Sequence, residues 1–253
     1  MRLITKYKLV CTLAIILLTS IFSIGMQNIR IIDASHIASS IVARIVSSSA
    51  GAEGFIVTTL VFCLIPFLLS FSFAQKKLIL TSFIVVLACA FGIKTTLKTT
   101  FEAPRPFVEE LVNLGSISTS TEFYQLSDPE KLKVIDDVSL NVDKWRLQEW
   151  LDGSDYSFPS GHMLFAVVVT IFWAPVLIIK RYYCLAAMSV IWASGVGASR
   201  LWLGMHRLED LYASIVIALI LCMLAPKITR MYWNKFEFLH RTKSHSPNVA
   251  SPW

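Results

Sequence analysis

Long apolar runs separated by short charged stretches constrain this chain more than any other feature. A helix that crosses a bilayer needs about 17–25 mostly apolar residues, because its backbone polar groups must pair within the segment. Six runs qualify: about Leu9–Met26, Gly54–Ala74, Leu78–Leu97, Gly161–Ile179, Tyr183–Ser199 and Glu209–Pro226. The expected fold is an all-α integral membrane protein with six transmembrane helices. Hydrophobic residues make up 55% of the chain and charged residues 16%, with a mean hydropathy of +0.62. Soluble domains carry about 25% charged residues, so this balance excludes a disordered chain, a coiled coil and a small disulfide scaffold. The first run follows Arg2, Lys6 and Lys8. It exceeds the ~7–15 apolar residues of a secretory signal and has no small-x-small site after it, so it reads as an uncleaved span. The five cysteines all lie in these runs without a CxxC pair and read as small apolar residues.

The net charge of +6 takes its meaning from where the charges sit. With the N-terminus in the cytoplasm, that side carries 12 basic residues against one acid, Glu237; the other side carries 10 basic and 16 acidic residues. The positive-inside rule fixes that orientation. The basic pI then reflects topology, and no nucleic-acid partner is expected. Two longer segments face the non-cytoplasmic side. In residues 27–53, Ile37, Ile41 and Ile45 recur at helical spacing with Ser39, Ser40, Ser47 and Ser48 mostly on the other face, which predicts a plain connector helix, with a helix lying at the interface as the alternative. Residues 98–158 hold 12 acids and six basic residues. At that length they are no plain connector, and they are expected to form a helical extracytoplasmic cap between helices three and four. Within it, Ser127 or Asp128 caps a helix with Glu130 in its first turn. The domain reading is one membrane domain over 1–226, including the cap, and a cytoplasmic, partly disordered tail over 227–253.

Three stretches concentrate unusual residues where spans meet the non-cytoplasmic side: Lys98 through Arg105-Pro106, Phe158-Pro159-Ser160-Gly161-His162, and Ser199-Arg200 through His206 to Asp210. The polarity of the spans brings all three to one membrane face. Lys98, Arg105 and Arg200 supply cations, and an arginine fork suits phosphate oxygens. Ser160 and Gly161 open a helix whose free N–H groups favour an anion. His206 and Asp210, four apart, share a helix face. A carboxylate on one imidazole nitrogen leaves the other free to attack, and His162 could protonate a leaving oxygen. Each piece has an ordinary reading by itself: a cation at a span end as a topology anchor, Pro-Ser-Gly as a helix start, His-x3-Asp as a solvated helical pair. A metal on that pair would lack further ligands, since no cysteine or carboxylate cluster joins it. Together, in order and on one face, the pieces point to phosphoryl transfer, which needs chiefly positioning and charge stabilisation.

Lys98-x6-Arg105-Pro106, Pro159-Ser160-Gly161-His162 and Ser199-Arg200-x5-His206-x3-Asp210 resemble the three signature motifs of the type 2 phosphatidic acid phosphatase superfamily. The likeness to bacterial members acting on phosphatidylglycerol phosphate extends to Arg105-Pro106-Phe107-Val108, Glu122-Phe123-Tyr124 and Gly204-Met205-His206. The resemblance implies His206 as the nucleophile forming a phosphohistidine, Asp210 as its orienting partner and His162 as the general acid. It implies Lys98, Arg105, Ser160, Gly161 and Arg200 as the phosphate ligands, with no metal and no cofactor. One departure stands out. Arg207-Leu208 replaces the aromatic-Pro pair of many members; Arg207 is read as an interface anchor, with contact to a lipid head group as the alternative.

The expected function is therefore hydrolysis of a lipid phosphate or pyrophosphate: phosphatidylglycerol phosphate, phosphatidate, lysophosphatidate, diacylglycerol pyrophosphate or undecaprenyl pyrophosphate. The expected partner is a phospholipid or polyprenyl phosphate in the bilayer. The resemblance places the protein in a bacterial inner membrane with its active site facing the periplasm. A lipid-phosphate phosphotransferase is the near alternative. A non-catalytic anionic-lipid carrier is the distant one, and it would have no use for His206, His162 and Asp210.

Overall fold

The computed structural model describes residues 37–225. The first expected span, Leu9–Met26, and the tail from Lys227 lie outside them. The described residues form ten helices and no strand. In chain order, α1 (Ile37–Ser48), α2 (Phe55–Leu68) and α3 (Phe73–Phe101) come first. Four short helices follow: α4 (Pro106–Asn113), α5 (Ser120–Gln125), α6 (Asp128–Asp136) and α7 (Lys144–Asp152). Then come α8 (Gly161–Ile179), α9 (Tyr183–Trp202) and α10 (Leu208–Ala225). The run containing α3, together with α8, α9 and α10, is long and apolar enough to cross a membrane. The chain is a multi-pass helical membrane protein, and four long spans, rather than six, are seen among the described residues.

α8 is the axis of the core. Every residue from Met163 to Thr170 is buried, as a helix apolar on all sides requires. Phe83 and Val86 of α3, Ala193 and Val196 of α9, and Leu211 and Ile215 of α10 pack around it. Thr170 Oγ1 donates to the Ser189 carbonyl at 2.9 Å, so the α8–α9 contact is pinned by a polar group as well as by packing.

The second expected span is corrected. α2 stops at Leu68 after 14 residues, about 21 Å of helix. The chain turns and restarts as α3 at Phe73, five residues before the expected start. The cause is a capping box: Gln75 N donates to Ser72 Oγ at 3.3 Å, and Ser72 N donates to Gln75 Oε1 at 3.0 Å. Leu69, Phe71 and Phe73 keep this stretch apolar, so hydropathy alone reads through the break. α3 then runs 29 residues, about 43 Å at 1.5 Å per residue. That exceeds a hydrocarbon core of about 30 Å, and its last turns carry Lys94 and Lys98 out to the polar end.

α1 is helical as expected, but it is no simple connector. Ser40 and Ser47 are 0% exposed, whereas Val42 is 61% and Ile45 65% exposed. The side that carries Ser40, Ala43 and Ser47 packs inward against α9 and α7, whereas Ser39 is exposed and part of the aliphatic face looks outward.

The cap is helical as expected. Ser127 is the cap of α6, and both its N and Oγ donate to Glu130 Oε2, at 2.8 and 2.6 Å. Its core holds Phe107, Leu111, Phe123, Ile135 and Trp150, together with Leu203 and Met205 from the connection after α9. Phe107 stacks on Trp150 with centroids 5.0 Å apart, and Trp150 Nε1 donates to the Leu203 carbonyl at 2.8 Å. The cap therefore shares its core with the chain that carries His206.

Candidate active site

Four helix ends build one cavity. Lys98 lies in the last turn of α3, Gly161 and His162 in the first turn of α8, and Arg200 in the last turn of α9. Arg105 caps α4 just after α3 ends. His206 stands in the turn between α9 and α10. These six residues line a cavity of about 810 Å³. Gly204 makes the turn possible: its φ of 69° suits a residue without a Cβ. The turn folds back so that Met205 N and His206 N both donate to the Arg200 carbonyl, at 3.0 and 3.3 Å. The two motif-three residues are thus tied together through the backbone.

His206 and Asp210 are both 3% exposed. Asp210 stands behind the ring: His206 Nδ1 lies 3.3 Å from Asp210 Oδ2. With Nδ1–H donating to the carboxylate, Nε2 keeps its lone pair. Two further groups hold Asp210. Arg207 N donates to the same oxygen at 2.9 Å, and the Ser157 hydroxyl also donates to it. Ser157 Oγ lies 3.2 Å from His206 Nδ1 as well. Burial, then the charges of Arg105, Arg200 and Lys98, hold the His206 imidazole well below its usual range. The ring is neutral near pH 7, as a nucleophile must be.

Lys98 and Arg105 are held from behind by backbone oxygens, Arg200 by side chains. Arg105 Nε donates to the Asp155 carbonyl at 2.7 Å, and its Nη1 donates to the Met205 carbonyl at 2.8 Å, 3.3 Å from His206 Nε2. Lys98 Nζ donates to the Tyr156 carbonyl. The Tyr124 hydroxyl accepts from Arg105 N at 3.0 Å. Burial pushes that phenol up to about 12, so it stays protonated. Arg200 Nη1 donates to Ser47 Oγ and to Glu149 Oε2, each at 2.6 Å. Its buried Nε has no hydrogen-bond partner among the described residues. A buried guanidinium N–H without an acceptor is costly.

Not every expected ligand reaches the cavity. Ser160 is fully buried, and its Oγ caps α8 by accepting from Met163 N at 3.4 Å; its carbonyl accepts from Ser214 Oγ at 2.9 Å. Asp210, like Ser160, is set back from the cavity wall. Arg207, read from sequence as an interface anchor, makes its contacts here within the protein. Its Nη1 donates to the Pro104 carbonyl at 2.7 Å and its other Nη pairs with Glu109, so it braces the loop that carries Arg105.

Glu149, Asp155, Ser157, Ser47, Tyr124 and Gly51 were not singled out by sequence. Ser157 stands two residues before Pro159, and Tyr124 lies in a stretch of family likeness. Ser47 lies on the polar side of the helical repeat in residues 27–53 with nothing to mark it as a site residue, and the others carry no spacing signal. Among the described residues, no group of three His, Cys, Asp or Glu is arranged to hold a metal ion.

The arrangement offers a neutral imidazole with an orienting carboxylate, a second histidine on the same cavity, and the cations Lys98, Arg105 and Arg200, with Lys94 beside them, on its lining. The sequence profile of the PAP2 superfamily matches residues 79–234, well over half the chain. Phosphatidylglycerophosphatase B of Escherichia coli strain K12 is 31% identical over 137 residues, 53% of this chain and 54% of that protein. The proteins of the same name from Escherichia coli O157:H7 and Shigella flexneri match to the same extent. The match spans about half the length of these relatives.

Proposed function

The chain belongs to the PAP2 superfamily of lipid phosphate phosphatases, and from that premise we propose that it hydrolyses phosphatidylglycerol phosphate or a related lipid phosphate or pyrophosphate through a phosphohistidine. The observation that carries this reading is the buried His206–Asp210 pair facing a cavity that Lys98, Arg105 and Arg200 share with His162. The substrate phosphate binds among the three cations. His206 Nε2 attacks phosphorus, and the P–O bond to the lipid breaks as His162 protonates the leaving oxygen. The cations stabilise charge on the equatorial oxygens. Asp210 stabilises the positive charge that the ring acquires. Water then attacks the phosphohistidine, giving its proton to His162, and inorganic phosphate leaves. No step calls on a metal.

The loop charges support a site on the non-cytoplasmic face, and the likeness to Escherichia coli and Shigella flexneri proteins supports a bacterial inner membrane with that face in the periplasm. The apolar side chains Phe55, Ile56, Phe91 and Phe165 on the same cavity wall suit a substrate with acyl or prenyl chains. The test is phosphate release by purified protein from a panel of lipid phosphates in EDTA, beside His206→Ala. Wild type is expected to release phosphate and His206→Ala to release none and form no phosphoenzyme. Loss of wild-type activity in EDTA, restored by Mg²⁺ or Zn²⁺, would overturn the metal-free reading. A phosphoenzyme trapped in His206→Ala would move the nucleophile elsewhere.

A further inference from the structure

The two cations of the first motif already carry an anion from the protein. Asp155 Oδ2 lies 2.7 Å from Lys98 Nζ, and Oδ1 accepts from Arg105 Nη2. A carboxylate bridging two cations in this way presents two oxygens where a phosphate would present two of its own. Both cannot saturate the same donors. Taking the phosphate-site reading above as its basis, we propose that Asp155 is the resident counter-anion of the site. It neutralises Lys98 and Arg105 between turnovers, swings off them as a substrate phosphate enters, and reclaims them as the phosphate product leaves.

Three observations separate this role from a purely structural one. First, Asp155 lies on the connection between α7 and α8, lines the cavity, and its side chain is 60% exposed. It can rotate away without unpacking anything. Glu149, the carboxylate on Arg200, is the contrast: it sits on α7, its side chain is 11% exposed, and it also faces Arg44 Nη1 at 3.8 Å. Second, the cations do not depend on the Asp155 side chain for their positions. Lys98 is held by the Tyr156 carbonyl, and Arg105 by the carbonyls of Asp155 and Met205. These are backbone groups that survive any substitution at position 155. Third, Arg105 Nη1 lies 3.3 Å from His206 Nε2, so the group Asp155 holds also flanks the attacking nitrogen.

The consequence is quantitative. When an internal group occupies the phosphate site for most of the time, only the remaining free fraction is binding-competent, and apparent affinity falls by that fraction. The same factor applies to the lipid substrate and to the phosphate product. Such a device speeds product release at the cost of a higher KM.

The experiment uses the full-length chain in detergent. Thermal stability is followed against inorganic phosphate for wild type, Asp155→Asn, Asp155→Ala and Asp155→Glu, alongside KM for a lipid phosphate. Asp155→Asn and Asp155→Ala are expected to reach half-maximal stabilisation at about ten-fold less phosphate, with KM falling in parallel, while Asp155→Glu stays near wild type. Unchanged or weaker phosphate binding in both neutral variants overturns the proposal and makes Asp155 a structural brace. The binding readout needs no turnover. If phosphate binds as expected but wild type hydrolyses no lipid phosphate, the proposed function fails and this inference stands; hydrolysis with no tighter binding in the variants gives the reverse.

Discussion

At the scale of single residues, the least conspicuous member of the site is Gly51. A Cβ there would lie 2.5 Å from His162 Nε2, closer than atoms can approach. The obstructing atom is the far end of a side chain, so the ring will yield before the backbone does. Gly51→Ala is therefore expected to fold normally but to displace the proton donor. Its activity on an alkyl lipid phosphate should fall with that of His162→Ala, by about 10²–10⁴. Both variants should lose less on a nitrophenyl phosphate, whose leaving group needs no proton. Equal losses on good and poor leaving groups would remove the general-acid role from His162. The histidines, Asp210, Arg105 and Arg200 were legible in the sequence because their chemistry needs rare residue types at short, fixed spacings. Asp155 and Glu149 were not, since each is one acid among the twelve between residues 98 and 158. Gly51 was not, because its partner lies more than a hundred residues away.

At the scale of elements, α1 shows that a periodic pattern gives a helix without saying which face the protein will cover. In water the aliphatic face of a helix turns inward. Beside a membrane the aliphatic face can look outward while the small polar face packs on the protein. Here Ser40 Oγ donates to Asp143 Oδ2 at 2.7 Å and accepts from Trp202 Nε1 at 3.3 Å, while Ser47 accepts from Arg200. Ser40→Ala leaves a buried carboxylate without one of its donors and is expected to cost about 1–3 kcal/mol. Val42→Ala on the outward face should cost clearly less. Thermal denaturation of the two variants in one detergent checks this; equal losses would mean that both faces are buried. The α2–α3 break rests on the same kind of local polar signal, the Ser72–Gln75 capping box, which a hydropathy average dilutes.

At the scale of the whole molecule, the cap and the helical core form one structure around the site. Phe107 N donates to the Gly204 carbonyl at 3.1 Å and Trp150 Nε1 to the Leu203 carbonyl, so the cap core ends on the turn that presents His206. Loop charge predicts the orientation of this assembly in the bilayer. A cysteine at Ser139, exposed on the cap, is expected to react with an impermeant thiol reagent in intact spheroplasts. A cysteine at Lys180, at the opposite end of α8, is expected to be protected until the membrane is opened. The reverse pattern would put the site in the cytoplasm.

The sequence by itself determined that the described chain is helical, that it crosses a membrane, and that three short motifs meet at one end of its spans. Each of these follows from local rules: hydrocarbon admits only self-satisfied backbones, and span polarity carries motif ends to a common face. Only the tertiary structure decided what stands behind and across from those motifs. Ser160 caps a helix rather than reaching the cavity, Arg207 braces Pro104 and Glu109, Ser157 shares Asp210 with His206, and Asp155 bridges Lys98 and Arg105. These are contacts between residues distant in the chain or between ordinary polar groups on connections. Their partners are set by how helix ends pack, and no spacing along the chain encodes that.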